Sequence, residues 1–246
     1  MSLDELLARL DRKVRTLNAA RPLPADSLRS LRDWLRVEIT YTSNAIEGNS
    51  LTRQETTVVL EGMTIGGKPL RDHLEAVDHA EAFDYMYDLA SHNTPFSEVD
   101  LRSLHRLVLQ RSQPLYAGRY RDIQVWIRGS SHVPPAPVEI PGLMADLFAE
   151  LRATSEEHSL RRAALLHARL VSIHPFADGN GRTARLATNL LLLRDSSPLA
   201  IIQPDPQARA TYFTALQELD EGKKDPIVRI FAEACEHTAD FVLRGR

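Results

Sequence analysis

The chain has 246 residues, 43% hydrophobic and 26% charged, which fits a folded globular protein and excludes a disordered one. A net charge of -3 and a pI near 6.3 argue against a mainly electrostatic nucleic-acid binder. A single cysteine, Cys235, excludes an internal disulfide and the common Cys-based zinc sites, and its helical setting reads as a buried, inert thiol.

Helical periodicity dominates. Leu3, Leu6, Leu7, Leu10, Val14 and Leu17 fall on one face of a first helix, which Pro22 and Pro24 break. A second helix from about Asp26 turns Leu28, Leu31, Leu35 and Ile39 inward and ends near Glu47, with Gly48 as its stop. Thr52 and Glu55 form a capping box for a short helix that Gly62 ends, and Gly66-Gly67 marks a turn. Helices are expected at about 71–91 and 98–111, the second capped by Ser97.

The pattern then changes. Ile123, Val125, Trp126 and Ile127 give residues 120–127 a strand-like composition, and Arg128 to Ser131 read as a turn. Pro134, Pro135 and Pro137 forbid a helix or a central strand, so 120–138 is expected to be a hairpin-like flap. Helices resume at about 140–154 and 158–173, again from Asn180 or Gly181, and at about 206–221 and 225–243. The reading is an all-α fold with one small β excursion, residues 1–62 forming an N-terminal helical extension on a core of 63–246. The N-terminus lacks the apolar run of a signal peptide, and the most apolar stretch, Leu186 to Leu193, is too short to span a bilayer. A soluble cytoplasmic protein is expected.

The chemistry is concentrated in residues 174–185. Pro175 lacks an amide proton and stops a helix at His174. Gly179 and Gly181 flank Asn180, so the backbone can bend and approach a ligand, and the helix that follows offers free amides and its positive dipole end to an anion. Arg182 and Arg185 project from one face of its first turns, which the dipole disfavours unless a polyphosphate binds there. Asp178 suits a Mg²⁺ ligand beside phosphate oxygens, and His174, with an ordinary pKa near ~6.5, suits a general base.

This loop, HPFADGNGRTAR, resembles the Fic motif HPFx(D/E)GNGRxxR at every fixed position. The resemblance implies a Fic fold and a protein adenylyltransferase that moves AMP from ATP to a Ser, Thr or Tyr hydroxyl. By resemblance, His174 deprotonates the hydroxyl, Phe176 anchors the loop and Asp178 holds Mg²⁺ between the α- and β-phosphates. Gly179, Asn180 and Gly181 would form the anion hole, with Asn180 on the α-phosphate, Arg182 toward the β-phosphate and Arg185 on the γ-phosphate. Thr183 and Ala184 complete the nucleotide-binding stretch. Residues 118–125 resemble the approach to the Fic flap, and Gly129, Ser130, Ser131 and His132 are assigned there to contacts with nucleotide or with a target protein docked by β-augmentation. Tyr212 and Phe213 resemble the aromatic pair near adenine, with Asp220 on the same wall.

A second motif, Ser43-Asn44-Ala45-Ile46-Glu47-Gly48, resembles the inhibitory (S/T)xxxE(G/N) helix of class II Fic proteins. A glutamate at a negative helix end wants a cation, and Arg185 is the obvious one. By analogy the pair blocks the γ-phosphate, and the same glutamate serves AMP removal in some relatives. The resemblance also accommodates self-modification and a homodimer. Two other readings stand beside it: a Fic-fold transferase using another nucleotide or phospho-donor, as Doc does, and a regulatory binding protein with a vestigial site. Doc-type loops depart at the later glycine and arginine positions, which Gly181 and Arg182 here retain.

Overall fold

The computed structural model describes all residues except Leu23, Asn93, Arg128, Gly129, Ser155, Glu156 and Arg246, and the side chain of Asp220. Among the described residues there are ten α-helices and no strand. In chain order these are α1 (Leu3–Ala19), α2 (Ala25–Ile46), α3 (Arg53–Leu60), α4 (Leu70–Ala90), α5 (Glu98–Leu109), α6 (Ile140–Ala153), α7 (Ser159–Ile173), α8 (Asn180–Arg194), α9 (Pro206–Glu218) and α10 (Asp225–Arg244). Their starts carry the expected caps. Ser2 with Glu5, Thr52 with Glu55 and Ser97 with Asp100 each close a capping box, satisfying two amides that a helix end leaves unpaired. Gly48 and Gly62 end α2 and α3 at φ +97° and +89°, a conformation that costs glycine nothing.

The centre is the α7–α8 pair, joined by the short loop that carries the motif. Helix α8 is covered on nearly every side, and polar Asn189 is tolerated there because its amide bonds Ala200 N (2.7 Å) and O (3.1 Å). Helices α4 and α5 pack on α8, while α6 and α10 pack on α7. Helix α1 lays Leu3, Leu6, Leu7 and Leu10 against α10, in one continuous apolar core with the central pair. Helix α2 packs along α4, and its C-terminal end meets the N-terminal end of α8, so opposite dipole ends face each other. No described helix is long and apolar enough to cross a membrane. Cys235 is buried, its Sγ donates to Pro198 O at 3.2 Å, and burial pushes its pKa up, which makes it inert.

Two expectations change. Leu28 does not turn inward but is 42% exposed. The flap is not a hairpin of strands: described residues 123–127 and 130–136 are irregular. Side chains replace the ladder. Arg121 donates to His174 O (2.8 Å), Ile123 O (3.0 Å) and Pro135 O (2.6 Å), and Gln124 donates to Pro134 O (2.9 Å). With prolines at 134, 135 and 137 unable to donate, cross-links from two polar side chains hold the arms where strand pairing cannot.

Candidate active site

Local contacts hold the loop 174–179 at several points. His174 closes α7 in the left-handed region (φ 50°, ψ 57°), and its amide donates to Leu170 O at 3.0 Å. Phe176 is buried and stacks on His105 with ring centroids 3.6 Å apart, and the Tyr120 ring is tilted against it with centroids 5.4 Å apart. His105 Nδ1 accepts from Gly118 N (3.0 Å), so the opposite nitrogen carries the proton and donates to Asp178 O (2.9 Å). Gly179 sits at φ +75° with the position of a side chain filled by His105 and Leu109. Asn180 bonds Phe176 at both ends: its Oδ1 accepts from Phe176 N (2.9 Å) and its Nδ2 donates to Phe176 O (2.8 Å). That amide builds the loop, and what Asn180 offers an anion is its backbone N–H.

Helical bonding in α8 begins with Thr183 N to Gly179 O (3.0 Å), and no side chain caps the end. The amides of Asn180, Gly181 and Arg182 are thus the unpaired donors of a helix start. Arg182 is only 2% exposed, and its Nε and Nη1 make no hydrogen bond. It pairs at longer range with Glu75 (3.4 Å) and Asp178 (3.5 Å). A buried guanidinium so poorly satisfied is suited to an anionic ligand. Thr183 and Ala184 lie buried behind this end, with the Thr183 hydroxyl unpartnered.

Asp178 lies at the mouth. Its Oδ1 accepts from Gly179 N (2.6 Å), and its Oδ2 accepts from Arg71 (3.2 Å) and from Gln113. Burial alone would raise its pKa, but Arg182, Gln113, the Gly179 amide and Arg71 outweigh that and hold it below the usual carboxylate range. Among the described residues no three His, Cys, Asp or Glu groups converge as a metal cage. A lone ionised carboxylate beside unpaired helix-start amides and a buried arginine fits Mg²⁺, which takes one or two carboxylates and draws its other ligands from phosphate and water.

Arg185 is buried and already engaged. Its Nε donates to Ser43 Oγ (3.0 Å) and its Nη2 to Ser43 O (2.9 Å) and Glu47 Oε1 (2.7 Å). The Glu47 carboxylate lies over Gly181, where a methyl group would overlap Oε1. A carboxylate therefore covers the head of α8. Arg209 fixes the end of α2 by donating to Ile46 O (2.9 Å).

His174 Nδ1–H faces Val171 O at 3.4 Å, which leaves the Nε2 lone pair to accept a proton. Burial lowers its pKa to about 4, with the Val171 carbonyl opposing, Arg121 assisting, Glu47 opposing and His132 assisting. The imidazole is neutral at pH 7, the form a base needs. In the flap, His132 Nε2 lies 2.8 Å from Ser172 O, and His132 N donates to Ser130 Oγ at 3.1 Å. Ser131 is exposed. Gly129 lies outside the described residues.

The expected adenine wall is only partly present. Tyr212 is 1% exposed and packs in the core, its hydroxyl 2.7 Å from His167 Nε2 and against Arg185, so it offers no face for stacking. Its position on a buried stripe with Ala215 decides this. Phe213 is exposed, with the Arg209 guanidinium over its ring at 4.8 Å. The side chain of Asp220 lies outside the described residues.

Sequence reasoning missed His105, Arg71, Glu75 and Gln113 and gave Arg121 no role. One signal was available on α4, where Asp72, Glu75 and His79 recur at helical spacing on a buried face. A charged stripe turned inward announces a polar network. His105 sits among Leu101, Leu104 and Val108 and reads as core from spacing alone.

Residues 95–192 match the model of the Fic/DOC family. The chain is 38% identical over 246 residues to a protein adenylyltransferase Fic from Nematostella vectensis, covering 97% of this chain and 56% of that protein. It is 37% identical over 239 residues to a protein of the same name from Culex quinquefasciatus, covering 96% and 47%. The chain spans about half the length of the curated relatives it matches. Among solved structures, Fic-1 from C. elegans aligns with a TM-score of 0.89 at 29% identity, over 99% of this chain and 72% of that one. A Fic domain containing signaling protein from Bacteroides thetaiotaomicron aligns at 0.87 and 27%, over 97% and 96%.

Proposed function

Since the chain belongs to the Fic/DOC family, we propose that it is a protein adenylyltransferase that moves AMP from ATP to a target hydroxyl and is held off by Glu47. The observation that carries this is the Glu47 carboxylate at the head of α8, bonded to Arg185 where a terminal phosphate would go. An endogenous carboxylate marks the site as built for an anion and blocks it until that segment moves.

His174 Nε2 accepts the proton of a Ser, Thr or Tyr hydroxyl as its oxygen attacks the α-phosphorus. The new O–P bond forms while the bond to the bridging oxygen breaks, and pyrophosphate leaves. The amides of Asn180, Gly181 and Arg182 hold the phosphate oxygens, with the Arg182 guanidinium behind them. Arg185, released from Glu47, takes the terminal phosphate. Mg²⁺ on Asp178 would offset charge on the departing pyrophosphate. Phe213 is the aromatic surface that remains for the base.

In this reading residues 1–62 act as the inhibitory extension of the core. A target protein docks along the flap, where Ile123, Trp126 and Val133 are exposed. The protein would work in the cytoplasm, where its single buried thiol meets no oxidising demand. Self-modification, AMP removal through Glu47 and a homodimer belong to the same reading.

Incubating Glu47→Gly protein with ATP and a lysate, followed by mass spectrometry, tests the proposal. An AMP adduct on protein hydroxyls is expected, weak with the unsubstituted chain and absent from Glu47→Gly/His174→Ala. An adduct of another mass would point to a different donor. No adduct at all, despite bound ATP, would leave the vestigial-site reading in its place.

A further inference from the structure

Asp178 is the one carboxylate of the motif, yet its oxygens are already taken. Oδ1 accepts from Gly179 N and Oδ2 from Gln113 and Arg71, with Arg182 3.5 Å away. A divalent cation can coordinate Oδ2 only if one of these donors withdraws. Arg182 faces Oδ1 and is 2% exposed; of the two donors on Oδ2, Gln113 is half-buried, whereas Arg71, on the first turn of α4, is 58% exposed and can swing out. Arg71 also has somewhere to stay, because its Nε donates to Glu75 Oε1 at 2.9 Å.

Glu75 is shared. Its Oε1 serves Arg71 and Arg182, while its Oε2 accepts from Asn49 Nδ2 (3.0 Å), two residues beyond Glu47. Asn49 Nδ2 also donates to Asp72 O (3.0 Å) on the same helix. A continuous polar chain thus runs from Asp178 through Arg71 and Glu75 to the segment that carries the inhibitory glutamate.

We propose that Arg71 is a displaceable counter-ion of Asp178, holding the carboxylate until a divalent cation takes Oδ2, and that Glu75 couples this exchange to Asn49. The proposal rests on Asp178 as the cation's ligand and makes Arg71 a positioning residue rather than a catalytic one. Two cations compete for one carboxylate oxygen, so whatever removes Arg71 strengthens metal binding. By linkage, a bound cation alters the surroundings of Asn49 to the same extent that Asn49 alters the cation's affinity.

The test is titration of the full chain with Mn²⁺, without nucleotide, read as paramagnetic broadening of the Gly179 amide signal. Arg71→Ala should lower the midpoint by about 2- to 5-fold, in line with an exposed ion pair, and Arg71→Lys should restore much of it. A midpoint unchanged or raised in Arg71→Ala, with broadening abolished in Asp178→Ala, overturns the counter-ion role while leaving the metal assignment standing. Broadening that persists in Asp178→Ala overturns the metal assignment and the counter-ion proposal with it. With diamagnetic Mg²⁺, the Asn49 side-chain amide signal should shift in the unsubstituted chain and stay put in Glu75→Gln. A signal unmoved in both overturns the coupling.

Discussion

The Glu47 carboxylate covers the α-carbon of Gly181 while its Oε1 accepts a 2.7 Å hydrogen bond from Arg185. Three features of the sequence meet at that point: the end of α2, the second glycine of the loop and the last arginine of the motif. Gly181 is an ordinary helical residue, so its lack of a side chain is required not by the backbone but by Glu47 first and then by Arg185 Nη1, 3.0 Å from where a Cβ would lie.

That relationship makes Gly181→Ala a sign-reversing substitution. With Glu47 present, the methyl group displaces the carboxylate from Arg185, and the cost should be about 1–3 kcal/mol, as for an overpacked site. In a Glu47→Gly background only Arg185 Nη1, 3.0 Å from the new methyl group, has to give way, and the same change should stabilise by up to about 1 kcal/mol, the usual gain of alanine over glycine in a helix. Urea unfolding of the four proteins gives both values. Equal effects in the two backgrounds would show that the carboxylate does not occupy the helix end in solution.

Arg121 takes three carbonyls with one guanidinium, those of His174, Ile123 and Pro135. A lysine ammonium cannot span them, so Arg121→Lys should free the flap from the 174–179 loop. The expected result is faster hydrogen exchange at Gln124 to Ile127 and at Ser130 to Val133. Exchange in α8 should not change, and the stability loss should be about 1–3 kcal/mol. Unaltered exchange in the flap would mean that the three bonds do not hold it.

Four histidines carry pKa values lowered by burial. His79 and His167 lie at about 3, both depressed further by Arg185, and His105 and His174 lie at about 4. The unfolded chain binds protons at these groups below pH ~6.5, while the folded chain refuses them until about pH 4. Their contribution is fully present above pH ~6.5 and is lost as the pH falls through that window. Unfolding at pH 5 should therefore take up about three to four protons, a slope near 5 kcal/mol per pH unit. Urea titrations at pH 7.5, 6.0 and 5.0 measure it. A slope corresponding to less than one proton would contradict the burial of these rings as neutral groups.

The sequence by itself determined the helices, their caps and stops, and the loop 174–185. These depend on neighbours along the chain: Pro175 ends α7, Thr52 and Glu55 close a box across one turn, and glycines stand where the backbone turns left-handed. Short-range signals of this kind need no partner from elsewhere. Tertiary structure decided which groups the motif residues actually touch. Asn180 faces Phe176, Tyr212 lies in the core, and the flap is held by Arg121 in place of a strand ladder. The stacking of His105 on Phe176 and the counter-ion Arg71 on Asp178 join residues 71 and 107 positions apart. Periodicity reports that a position is buried but not what lies opposite it. The partner is chosen by how the helices pack, and the chemistry of the loop depends on that choice.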